Sequence, residues 1–417
     1  MNAAAFDLLR SLYGAALRAV EAGPAVAAAL ADPVVSKRLV SARRVGIFAV
    51  GKAAAGMFAA AWRPGREALV VLPRGDPRPR RPGVTVLFSA HPEPDFSSVR
   101  AARSALRFFS GFGREDLILC LVSGGTSSLL CLPRPGITLG EKKRAVARLV
   151  RAGAPITRVN RVRTSLSAVK GGKLGRSTAA RLVTLVLSDV PGDRPALVGS
   201  GPTIRGRRGD VTRVVASNRI GLEGAARQAR RLRLRPRVLP RRLDGEARNA
   251  GRKLALETTR LRRGEAVLAG GETTVSLGRK SGTGGRNLEL ALSAAQVLDG
   301  IRGVGVLAAG SDGKDGSSRA AGALVDGDTM ARARKRGIDA GDALSRHDTE
   351  TFFARVGGLL VTGSTGTNVS DWAFGVRVFE NVAGTGPADL HLPQFRNPGT
   401  GPADLHPPQS RTVRHET

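Results

Sequence analysis

The chain has 417 residues, enough for two or three domains at roughly 100–200 residues each. Its 41% hydrophobic and 24% charged residues are ordinary globular proportions, which excludes wholesale disorder, a collagen-like repeat and a coiled coil. Lys and Arg number 66 against 34 Asp and Glu, a formal charge of +32, so nucleic acid, an anionic membrane surface and small anionic substrates are the partners to weigh.

Residues 1–30 are Ala-rich and carry Asp7, Arg10, Arg18 and Glu21, which predicts a surface helix rather than a signal peptide. No apolar stretch approaches the roughly 20 residues of a membrane-spanning helix. Cys120 and Cys131 are the only cysteines, sit in apolar surroundings and read as core residues of a reducing compartment. A soluble, cytoplasmic protein with no membrane partner is expected.

Short β-branched runs ending in small-residue turns predict strands at 45–51, 117–123, 182–188, 266–271, 304–310 and 359–363. Helix-compatible segments follow several of them, at 52–62 and 139–152, and another at 245–256. This alternation predicts an α/β fold. The stretch 205–263 is Arg-dense and suggests a domain junction, giving 1–245 and 246–376. From 383 the composition shifts to Pro and Gly, and GTGPADLH occurs at 384–391 and 399–406. The tail, 377–417, is expected to be disordered.

In such folds ligands bind beyond the carboxyl ends of the strands, and the residues there carry chemistry. Ser123-Gly124-Gly125-Thr126-Ser127-Ser128 follows a buried-type strand and could wrap a phosphate in backbone N–H groups, or be a plain tight turn. No Walker A sequence and no protein-kinase motif pair exists. Asp189, in LSDVPGD, can hold Mg²⁺ or cap the turn that follows. Gly270-Gly271-Glu272 and then Gly284-Gly285-Arg286-Asn287 join a strand end, a glycine loop and a helix whose Arg suits phosphate or carboxylate oxygens. Asp312 and Asp315 in GSDGKDG read as metal or hydroxyl-activating groups, or as an acidic turn; an EF-hand is rejected because Gly322 stands where its Glu belongs. Asn160, Arg163 and Lys170 form an anion clamp or a solvated basic helix. His91 lies in the HPEPD turn and the other histidines fall outside the motifs, which disfavours a triad.

Taken in order, GKAAAGM at Gly51, HPEPD at His91, LVSGGTSSLL at Leu121, VNRVRTSLSAVKGGKLG at Val159, LSDVPGD at Leu187, SGPT at Ser200, GGETTV at Gly270, GGRNLELAL at Gly284, GSDGKDG at Gly310 and TGSTGTN at Thr362 resemble the glycerate 2-kinase family. Some of its members are labelled hydroxypyruvate reductases, and its C-terminal module is called MOFRL. The resemblance implies two α/β domains, the larger Rossmann-like, with the active site in the cleft between them. It implies transfer of the γ-phosphoryl of ATP to the 2-hydroxyl of D-glycerate, with Mg²⁺.

On that resemblance Lys52 and Arg286 face phosphoryl charge, and Asn160, Arg163 and Lys170 clamp anionic substrate oxygens. Asp189, Glu272 and Asp312 divide metal binding and proton acceptance in an order left open. Ser123, Gly124, Gly125, Gly271, Gly284, Gly285 and Asn287 hold substrate or ATP. Departures from the family pattern are Thr164 and Ser165 for Lys-His, Arg194, Arg319 for an acidic residue, and Ser364; the chain leaves the pattern after Asp371, so its closing strand is open to change. The alternatives are a nicotinamide-dependent hydroxypyruvate reductase, a basic nucleic-acid-binding protein and a catalytically weakened homologue. Scattered Arg and only 4% aromatic residues argue against specific nucleic-acid binding. GKAAAG after the first strand argues against a dinucleotide site, which wants G-x-G-x-x-G. Homo-oligomerisation is left open.

Overall fold

A computed structural model describes residues 2–153, 156–277 and 281–378. The expected tail disorder concerns residues outside these. Six strands form the first sheet: β1 (Val45–Val50), β2 (Ala68–Pro73), β3 (Val84–Ser89), β4 (Leu117–Val122), β5 (Arg181–Leu187) and β6 (Val211–Ala216). β4, LILCLV, is buried along its whole length, which is why it is a continuous apolar run rather than an alternating one. The order is β3-β2-β1-β4-β5-β6 and every pairing is parallel. This is the order of a doubly wound sheet, whose connections diverge between β1 and β4 and leave a crevice there.

The second sheet holds β7 (Arg235–Val238), β8 (Glu265–Gly271), β9 (Val304–Gly310), β10 (Gly322–Asp326), β11 (Leu359–Leu360) and β12 (Asp371–Arg377), in the order β11-β10-β9-β12-β8-β7. β7 runs parallel to β8, while β12 lies antiparallel between β8 and β9. The closing strand therefore forms, and it sits at the centre of its sheet. The expected strand at 359–363 reduces to two residues. The expected division at 245 falls between β7 and the helix Ala247–Thr259, both of which belong with the second sheet.

The N-terminal segment departs from the surface helix expected of it. It forms two helices, Ala3–Ala19 and Ala22–Ala31, and the first packs on β9, β12 and the helix Asn218–Arg231. Its polar residues Asp7, Arg10 and Arg18 occupy one face, while Phe6, Leu9, Leu12, Tyr13 and Leu17 are buried. Tyr13 meets Trp372 of β12 edge to face, with centroids 6.0 Å apart. One apolar core runs from Ile47 and Leu119 of the first sheet to Leu307 and Phe374 of the second. Cys120 and Cys131 are buried free thiols. Among the described residues no single helix is long and apolar enough to cross a membrane.

Candidate active site

The turns after β1 and β4 are laced together. The Lys52 N–H donates to Gly124 O at 2.9 Å, the Ala53 N–H donates to Ser123 Oγ at 3.1 Å, and Thr126 Oγ1 donates to Val50 O and Ser123 O. Gly51 has φ +124, and a Cβ there would lie 2.1 Å from Ser123 Oγ, so only glycine allows this approach. The arrangement leaves Lys52 exposed at the mouth of the crevice. After β5, Asp189 comes so close to Gly124 that a Cβ on the glycine would lie 2.1 Å from Asp189 Oδ2.

The second sheet brings its own strand ends to the same place. Register pairs Asp371, at the start of β12, with Gly271 on one side and Gly310 on the other. Asp371 grips Arg286 through two bonds, from Nε at 2.5 Å and from Nη2 at 3.0 Å, and Arg286 Nη1 also donates to Glu272 at 2.8 Å. A guanidinium has five N–H donors, so this grip fixes the side chain in orientation with donors to spare. Ser370 Oγ donates to Asp189 O at 3.1 Å, tying the second sheet's edge to the first.

Lys52, Asp189, Glu272, Arg286, Asp312, Lys314, Asn368 and Ser370 line one cavity of about 320 Å³. A second cavity, about 610 Å³, shares Lys52, Asp312, Lys314 and Asn368 and extends past Asp76, His91, Arg319 and Thr367. Burial pushes the Asp189 carboxyl up; Lys52 opposes this and Glu272 adds to it. Burial likewise raises Asp371 against the pull of Arg286. For Arg286 burial opposes ionisation, but Asp371 and Glu272 outweigh it and hold the side chain charged. His91 is pushed down by burial and by Lys52.

The glycine loop is built differently from a free phosphate cradle. Asp315 accepts from the Asn287 N–H at 3.1 Å, the Leu288 N–H at 2.8 Å and Asn287 Nδ2 at 3.2 Å, so it already engages the first turn of the helix Arg286–Leu298. The Gly284 N–H donates to Ser317 Oγ. Gly271 is held in the sheet between Leu243 and Asp371. Asn160, Arg163 and Lys170 are absent from the lining of both cavities. Arg163 donates to Asn160 Oδ1 at 3.3 Å, and Lys170, buried, donates to Ser127 O at 2.8 Å.

His91, Lys314, Asn368, Ser370 and Asp371 were not expected as site residues. His91, Lys314 and Asn368 lay within recognisable motifs, but Asp371 reaches the site only through the register of β12, which no local pattern announces.

A family model described as a domain of unknown function, DUF4147, matches residues 8–232, and the MOFRL family model matches residues 265–371. A D-glycerate 2-kinase from Thermotoga maritima is 34% identical over 380 residues, covering 80% of this chain and 91% of that protein. A protein from Agrobacterium vitis, named provisionally as a hydroxypyruvate reductase, is 38% identical over 376 residues, covering 79% of this chain and 86% of its own length. The crystal structure of a glycerate kinase from Thermotoga maritima matches with a TM-score of 0.81 at 32% identity, covering 89% of this chain and 99% of that one. With both family models matched in order and relatives aligned over most of its length, the chain belongs to the MOFRL-containing glycerate 2-kinase family.

Proposed function

We propose that this protein transfers the γ-phosphoryl of ATP to the 2-hydroxyl of D-glycerate, giving 2-phospho-D-glycerate and ADP. The observation that carries the reading is the convergence of Lys52 and Asp189 from the first sheet with Glu272, Arg286 and Asp312 from the second around one cavity. Phosphoryl transfer needs positioning and neutralisation of charge on the transferring oxygens more than it needs a nucleophilic side chain. Lys52 and Arg286 supply that charge from opposite sheets. The 2-hydroxyl oxygen bonds to the γ-phosphorus as the bond to the β–γ bridging oxygen breaks, and the hydroxyl proton passes to Asp189, whose raised carboxyl is suited to hold it. The larger cavity is of a size for a nucleotide, with Lys314 and Arg319 at its wall.

Among the described residues no ready-made group of three or more His, Cys, Asp and Glu forms a metal site. Mg²⁺ asks for less, since it binds through one or two carboxylates and completes its shell with water and phosphate oxygens. Asp189, Glu272 and Asp312 are an oxygen-only set in one cavity and fit that demand. Glu272 and Asp312 are the residues that would hold the ion, leaving Asp189 to take the proton. When bound, the ion neutralises phosphate charge.

The test is ADP release, coupled to a reporter, with ATP and D-glycerate, run beside nicotinamide absorbance with hydroxypyruvate. Glycerate-dependent ADP release without nicotinamide turnover supports the reading. Nicotinamide oxidation without ADP release replaces it with the reductase.

A further inference from the structure

Behind the short helix Thr126–Leu129, outside the cleft, four cations gather with no carboxylate partner among the described residues. Lys142 comes from the helix Leu139–Arg151, Arg163 from the helix Ile156–Ser165, Lys170 from the following turn and Lys173 from the helix Lys173–Arg176. Lys142 is 3% exposed and its Nζ, in full contact with protein, has no hydrogen-bond partner among the described residues. Lys170 is 2% exposed and spends one donor on Ser127 O. Lys173 Nζ donates to Thr164 O at 3.0 Å and Ser167 O at 2.5 Å. Burial, with Lys173 and Arg163, disfavours the Lys142 cation, and burial, with Lys142 and Arg163, the Lys170 cation; the Cys131 thiol favours both cations, and among the described residues no Asp or Glu does.

A buried ammonium with neither a counter-charge nor an acceptor is costly, and removal of the charge or arrival of an anion relieves it. One carboxylate would leave the group strongly positive, whereas a phosphate dianion comes closer to balancing it and offers three acceptor oxygens. We propose that Lys142, Arg163, Lys170 and Lys173 bind the phosphate group of a small molecule at a second site, separate from the Lys52–Arg286 cleft. Arg163 and Lys173, half-buried, form its rim, and Lys142 and Lys170 its floor. Burial, opposed by Cys131 and helped by Lys142 and Arg163, lowers Lys170 to about 7, so at pH 8 the empty site is short of protons and takes them up as phosphate binds. This site does not depend on the kinase reading.

Calorimetry with inorganic phosphate, and separately with phosphoglycerate, tests it at pH 8 in two buffers of different ionisation enthalpy, at ionic strength matched with chloride. The protein used is a Lys52→Met/Arg286→Gln/Lys314→Met/Arg319→Gln variant, which removes the four cations placed at the cleft's two cavities. The expected result is phosphate binding with proton uptake, weakened at least tenfold by adding Lys142→Met. Without phosphate, Lys142→Met alone is expected to melt at a higher temperature than the parent, because a buried unpaired charge is gone. Arg163→Gln, at the rim, gives the same loss of binding should Lys142→Met fail to fold. Binding by phosphoglycerate alone identifies the source as a phosphorylated metabolite; binding by both identifies the phosphate group itself. Undiminished binding in Lys142→Met or Arg163→Gln, or no binding of either probe, overturns the proposal.

Discussion

Lys52 and Arg286 come from turns more than 200 residues apart and face one cavity, yet their surroundings differ. Lys52 stands exposed on a turn fixed by backbone bonds, and Arg286 is locked by Asp371 and Glu272. Lys52→Ala is expected to leave the fold intact and lower ADP release by roughly 10³-fold or more, the scale for a cation serving transferring oxygens. Arg286→Lys keeps the charge but loses the two-pronged grip of Asp371, so its kcat should fall far more than its melting temperature. Asp189 makes the pH profile informative. Its carboxyl is raised by burial, with Glu272 adding to the effect, so kcat should climb as pH rises through that group's ionisation. Glu272→Gln removes part of the cause and should move this acid limb to lower pH. Lys52, Asp189, Glu272 and Asp312 were legible in the cavity's lining because each stands just past a strand end, and Arg286 because it follows a glycine loop and opens a helix. Asp371 and His91 were not, because their places depend on strand register and on a loop folding across the crevice.

At the scale of elements, the helix Arg286–Leu298 is seated by Asp315, which lies in the loop after β9 and answers N–H groups of its first turn. Burial raises the Asp315 carboxyl to about 6, against those backbone bonds. The folded protein then keeps a proton that the unfolded chain has released, between the ordinary carboxylate range and about 6. The stability from this group is therefore present in full below that window and lost as pH rises through it. Urea unfolding across pH 4–7 should show a smaller decline with pH for Asp315→Asn than for the parent. β1, β4, β5, β8 and β9 were legible as apolar runs because both faces are covered. β3 and β6 are partly exposed and mix polar residues into the pattern, and β12, DWAFGVR, carries an acid, a glycine and a base. The N-terminal helix misled for a related reason: a few charges along one face drew attention from the opposite face, where Phe6, Leu9, Leu12, Tyr13 and Leu17 are buried.

For the whole molecule, the two sheets share one core, and Trp372 stands at their meeting point with Tyr13 against it and its Nε1–H donating to Asn218 O at 3.2 Å. Trp372→Ala should cost about 3–5 kcal/mol of stability, read by denaturant unfolding, and disturb both sheets together. The α/β class and the gathering of strand ends at one cleft were legible from motif order. The central position of β12 and the attachment of the first helix to the second sheet were not, since β12 inserts between β8 and β9 although β10 and β11 precede it in the chain, and the helix joins opposite ends of the described chain. Ion pairs such as Arg43 with Glu115 and Arg334 with Asp299 engage part of the Arg content, and the +32 is the Lys and Arg left over once every Asp and Glu is matched. The most direct measurement is phosphorus NMR of the products formed from ATP and D-glycerate. The account predicts ADP and 2-phosphoglycerate in equal amounts, both lost in Lys52→Ala. Production of 3-phosphoglycerate, or undiminished turnover by Lys52→Ala, would contradict it.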